Sequence, residues 1–134
     1  MHALKKLHMA LRPQGVLLDI HPRPQDSWFE VRRAGQTFAV GQVDQAQDIA
    51  DISGAEAALS QVLAVGRFVL EDERTFTFVR HFDSVETWLA FRAERQSTGT
   101  IAEEDLDRAR ALLAEAPGEL CVQRVIRAAR YRKA

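Results

Sequence analysis

The chain has 134 residues, 46% of them hydrophobic, and a formal net charge of −1. That is enough for one packed core, and the near-neutral balance offers no broad basic face for nucleic acid or anionic membrane. The single Cys121 excludes an internal disulfide, pointing to a reduced, cytosolic setting. No apolar run approaches membrane-span length.

In chain order, Leu4, Leu7 and Leu11 form a helical stripe over residues 2–11, and Arg12-Pro13 stops it because proline cannot continue a helix. Val16–Ile20 is uniformly apolar apart from Asp19 and reads as a short strand buried on both faces, as in parallel sheets. His21-Pro22-Arg23-Pro24 must be extended. Trp28–Arg33 and Gln36–Val43 flank Ala34-Gly35, a hairpin whose glycine can take the positive φ of a tight turn.

Residues 44–52 are acidic and unpatterned, and read as a loop. Ser53-Gly54-Ala55-Glu56 fits a capping box, opening a helix through Leu59, Val62 and Leu63 that Gly66 closes. Residues 67–82 are the longest strand signal, with Phe68, Leu70, Phe76, Phe78 and Phe82 on one face. Glu71–Arg74 interrupts the apolar pattern, so a bulge or bend is expected there. Asp83-Ser84-Val85-Glu86 caps a helix carrying Val85, Trp88, Leu89 and Phe91. Thr100-Ile101-Ala102-Glu103 is a second capping box, for a helix that buries Leu106, Ala109, Leu112 and Leu113 and ends at Pro117-Gly118. A last strand places Leu120, Val122, Ile126 and Ala128 on one face, with arginines interleaved as if along a sheet edge. The pattern predicts a single α+β domain, residues 1–134. Its sheet is mixed and mainly antiparallel, with a β-hairpin insertion and three to four helices packed on it.

Chemistry is sparse. His2, His8, His21 and His81 have no cysteine or carboxylate at metal-ligand spacing, so no metal site is expected. No serine sits in a nucleophile elbow. No two glycines are separated by a single residue, so dinucleotide and phosphate loops are absent. Cys121 reads as a small core residue. The polar cluster to weigh is Asp19, His21 and Arg23, just past a strand end where α/β sheets bind ligands; the plainer reading is a hydrogen-bonded strand end and turn. Phe76, Phe78, Trp88 and Phe91 could line an apolar pocket, with Asp19, His21 or His81 orienting a ligand; ordinary core aromatics are the alternative.

"ALRPQGVLLDI" resembles the segment of Rossmann-like, class I S-adenosylmethionine-dependent methyltransferases in which a helix ends in a Leu-Arg/Lys-Pro-Gly-Gly turn and feeds the fifth strand. Leu11, Arg12, Pro13 and Gly15 match; Gln14 replaces the first glycine. "RFVLEDERTFTFVRHFDS", "FDSVETWLAF" and "GELCVQRVIRAARYRKA" are similar in order to the sixth strand, the turn and helix after it, and the seventh strand. The resemblance implies the C-terminal half of such a domain without the half that carries the glycine loop. It therefore implies no S-adenosylmethionine site in the isolated chain, no activity alone, and a role as an accessory or assembly subunit or a remnant. Two alternatives stand: a small-ligand-binding α+β protein, or a methyltransferase whose first half lies upstream and supplies the cofactor site. The fragment reading also implies an open edge on Val16–Ile20, expected to be covered by a second copy in a homodimer or by a partner chain.

Overall fold

The computed structural model describes residues 2–134. Four helices, α1 (His2–Ala10), α2 (Ala46–Ala64), α3 (Val85–Glu94) and α4 (Glu103–Glu115), accompany five strands: β1 (Val16–Pro22), β2 (Trp28–Arg33), β3 (Gln36–Gln42), β4 (Phe68–Phe82) and β5 (Gly118–Lys133). The class is α+β, with an open and mainly antiparallel sheet. No helix among the described residues is long and apolar enough to cross a membrane. The chain folds into two compact units. One comprises the chain up to Pro24, Ile49–Phe76 and Val125–Ala134; the other comprises Gln25–Asp48 and Thr77–Arg124.

In the first unit, α1 gives way to a turn closed by a hydrogen bond from the Gly15 amide to the Arg12 carbonyl, 2.8 Å. Pro13 and Gln14 are its central residues, and Gln14 sits at φ 62°, the left-handed geometry for which glycine is the usual choice. β1 then pairs antiparallel with β5, from Val16 opposite Arg132 to Pro22 opposite Ile126. This corrects the expectation of a strand buried on both faces. Leu17 packs with Leu59, Val62, Phe68, Ala129 and Tyr131, whereas Leu18 and Ile20 are 67% and 68% exposed. Antiparallel strands commonly cover one face only. The last strand is likewise no edge: β5 pairs with β1, β2 and β4. Its arginines meet carboxylates, with Arg130 and Arg132 on Glu71 and Arg127 on Glu73. β4 runs unbroken as a strand through Glu71–Arg74, the stretch where a bulge or bend was expected.

α2 begins at Ala46, so the loop reading fails over 46–52 and the capping box at Ser53–Glu56 is overturned; 46–56 lie inside the helix, while Asp44 and Gln45 precede it. Gly66, at φ 71°, closes it as expected.

In the second unit, β2 and β3 form the hairpin, turning at Ala34 (φ 47°) and Gly35 (φ 73°). β2 also pairs with the first part of β5, Trp28 opposite Gln123 through Arg33 opposite Gly118. Phe29, Val31, Val40, Val43, Phe82, Val85, Trp88, Leu106, Ala109 and Leu120 make its core. Ser84 caps α3, its Oγ accepting from the Thr87 amide at 3.0 Å. α4 starts after Ala102 with no side-chain cap, so the second capping box does not form. Leu120 and Val122 pack in this core, but Ile126 and Ala128 do not. In the first unit the inward residues of β5 are Ala129 and Tyr131.

Candidate functional site

The second unit holds a hollow of about 370 Å³, within the size range of small-ligand sites. Period-two alternation on β4 brings Phe78, Arg80 and Phe82 to its wall, and β5 contributes the consecutive Val122, Gln123 and Arg124. The helical repeat of α3 adds Trp88 and Arg92, one turn apart, and Phe91. Ser27, Gln45, Asp48 and Gln96–Thr98 complete the rim.

The rim is ordered by its own bonds. The buried Gln45 accepts at Oε1 from the Ser27 amide (3.0 Å) and Ser27 Oγ (2.7 Å). Asp48 accepts from Thr98 Oγ1 at 2.8 Å and from Gln45 Nε2 at 3.4 Å. The cations are held differently. Arg80 stacks over Phe91 and Phe78, its guanidinium carbon 4.6 and 5.3 Å from the ring centres. Arg92 lies 5.8 Å from the Trp88 ring centre and donates to the carbonyls of Thr98 (3.0 Å) and Gly99 (2.9 Å). Burial pushes the Arg92 guanidinium below its ordinary range. Arg124 Nε is buried without a hydrogen-bond partner. Among the described residues, none of these three arginines is paired with a carboxylate, and Asp48 is the one carboxylate on the wall.

The structure places the residues singled out from the sequence in three locations. Phe78 and Trp88 line the hollow, with Phe91; Phe76, 46% exposed, is not among the lining residues. Asp19, His21 and Arg23 do come together, but in the first unit. His21 Nδ1 lies 3.0 Å from Asp19 Oδ2, while His21 Nε2 and Arg23 Nη1 lie 3.0 and 2.9 Å from Glu56 Oε1. The adjoining hollow, lined by Arg23, Glu56, Leu59, Ser60, Leu63, Arg127 and Tyr131, is about 140 Å³, small beside ordinary ligand sites. The segment is a tight ion cluster on β1 rather than a turn past its end, since His21 and Pro22 are still paired with β5, and Asp19 Oδ2 is left buried without a hydrogen-bond partner. His81 lies elsewhere in the second unit, against Glu119 and Cys121.

No family model, curated protein or solved structure matches the chain. The site must be judged on its chemistry.

Reasoning from sequence missed Arg80, Arg92, Arg124, Gln45 and Asp48. Two signals were present. Arg80 alternates with Phe78 and Phe82 on one strand face, and Arg92 follows Trp88 by one helical turn. Each is a cation set among aromatics rather than among carboxylates.

Proposed function

We propose that the chain is a small-ligand-binding α+β protein whose hollow takes an organic anion bearing a flat apolar group. The observation that carries this is the convergence of Arg80, Arg92 and Arg124 on one aromatic-lined hollow without ion-pair partners. Arg92 and Arg124 are part-buried, and a guanidinium withdrawn from water without a counter-charge is costly, whereas Arg80 is exposed at the rim; a carboxylate or phosphate ligand offers all three short charge-assisted bonds. Phe78, Trp88 and Phe91 supply faces against which a ring can stack. Neither Asp19, His21 nor His81 is part of this reading; the arginines orient the ligand instead. Calorimetric titration of the full chain with benzoate, an indole carboxylate and a nucleoside monophosphate tests it. Binding on the order of ten to a hundred micromolar is expected for at least one anion. It should weaken with salt, be absent for the neutral amide analogue, and fall at least about tenfold in Arg124→Gln. No heat and no thermal shift with any of the anions at millimolar concentration would overturn it.

A second reading is favoured by the first unit. Its order, α1 into the proline turn and β1, α2 ending at Gly66 before β4, and β5 last beside β4, supports kinship with the C-terminal half of class I methyltransferase domains. With no Gly-x-Gly in the sequence, the role would be accessory rather than catalytic, in a reducing cytosolic setting, and micromolar S-adenosylmethionine binding by the chain would refute it. β1 pairs with β5 alone among the described strands. Its free edge and the exposed Leu18 and Ile20 support a second copy of the chain as partner.

A further inference from the structure

We propose that His81, Glu119 and Cys121 form a binding site for a zinc-class divalent cation. β5 supplies Glu119 and Cys121, two residues apart and therefore on one face, and β4, which pairs with β5, supplies His81. His81 Nδ1 lies 3.1 Å from Glu119 Oε1 and 3.4 Å from Cys121 Sγ, and the three donor atoms all fall within 4.8 Å of one another.

The geometry separates this from a thiol–imidazole–carboxylate proton relay. A relay uses both ring nitrogens, one toward the nucleophile and the other toward the acid. Here the same nitrogen, Nδ1, faces both sulfur and carboxylate. The thiol can donate its own hydrogen within this cluster, and a metal ion that displaces this hydrogen and the ring hydrogen at Nδ1 would sit at the common centre of the three atoms. Zinc bonds of about 2.0–2.3 Å at tetrahedral angles set donor–donor separations of about 3.3–3.6 Å. The observed 3.1 and 3.4 Å lie respectively below that range and toward its lower end, a difference that small side-chain rotations make up.

The donor set chooses the ion. One thiolate, one imidazole and one carboxylate suit zinc, whereas magnesium and calcium take oxygen donors. Three protein ligands leave one position for water or another group. The side chains of His81 and Glu119 are 51% and 43% exposed, so solvent reaches the site from their side, while Cys121 forms its buried floor. The neighbouring cation does not oppose binding strongly. Arg32, opposite Glu119 on β2, is held by Glu30 at 2.7 Å, and Glu30 stands opposite Cys121. The binding step is Cys–SH + M²⁺ → Cys–S–M⁺ + H⁺, with the thiol proton released to solvent.

The test is titration of the chelator-stripped full chain with cobalt(II), then displacement by zinc. One equivalent of cobalt should produce a thiolate-to-metal charge-transfer band together with the visible bands of a tetrahedral ion. Zinc should abolish both, and about one proton should be released per ion. Cys121→Ala should remove the charge-transfer band. Because that side chain is buried, the half-exposed His81→Gln and Glu119→Gln serve as independent variants, each weakening zinc binding at least about tenfold. Absence of the charge-transfer band at one equivalent, or undiminished affinity in His81→Gln, would overturn the site; the latter would point to binding elsewhere, as at His2 or His8.

Discussion

At the scale of single residues, burial was readable wherever one face meets one core. Val85, Trp88, Leu106 and Ala109 recur at helical spacing, and all four are buried in the core of the second unit. Trp88 is 2% exposed and packs on Phe29 with ring centres 4.9 Å apart. Trp88→Ala should therefore cost about 3–5 kcal/mol in denaturant titration, and a loss below about 1 kcal/mol would show that the α3 face is not packed as described. Strand parity was harder to read. Phe68 and Phe82 are buried while Phe76 and Phe78, on the same even positions, are nearly half exposed. Parity assigns residues to a face but not the cover on that face. The polar residues were least legible. Asp19 and His21 are two apart and were grouped from the sequence, but His21 and Glu56 meet across 35 residues, and His81 and Cys121 across 40, separations at which no local spacing rule applies.

At the scale of elements, the hairpin, β4, α3 and α4 follow from turn chemistry and periodicity, and the largest error concerns α2. Ser53-Gly54-Ala55-Glu56 has the composition of a helix start, yet the helix already runs from Ala46. Asp44 Oδ1 accepts from the Ala46 amide at 3.3 Å, an acid at the true start that was read as loop. Glu56, freed from capping, accepts instead from Arg23 and faces His21. Gly54 is thus an exposed glycine in a helix interior, and a Cβ placed there meets nothing within 4 Å. Gly54→Ala should stabilise the chain by about 0.5–1 kcal/mol, seen as a raised melting temperature; destabilisation would restore the loop-and-cap reading of 44–56. The α3–α4 pair has its own electrostatic signature. The Arg110 guanidinium, 2.8 Å from Glu86, holds that carboxyl below its ordinary range. A depressed folded value contributes stability above the unfolded range and loses it as the pH falls through the folded one. The stability difference between the natural chain and Glu86→Gln should therefore be present at neutral pH and shrink below about pH 4.5. A difference that grows on acidification would exclude the contact.

At the scale of the whole molecule, the α+β class and mainly antiparallel sheet were legible, because helical and period-two patterns alternate cleanly along most of the chain. The pairing partner of β1 was not. An apolar run says that a strand buries well, but Val16–Ile20 turns out to bury Leu17 while presenting Leu18 and Ile20. An apolar strand with one free edge and exposed alternate side chains can template pairing with another chain. A two-fold axis beside β1 would let two copies extend their sheets antiparallel and bring Leu18 and Ile20 of each toward the other, closing the assembly at two. Pro22 and Pro24 lack amide hydrogens, which limits such pairing to Val16–His21. The second-copy reading therefore predicts a dimer by light scattering at tens of micromolar. Leu18→Lys, which places a charge on an already exposed position, should give a folded monomer with little change in thermal stability. A natural chain that is monomeric at that concentration and binds no hydrophobic dye would defeat the reading. A monomer that does bind dye would also exclude the second copy, but would leave the face as a site for a different protein.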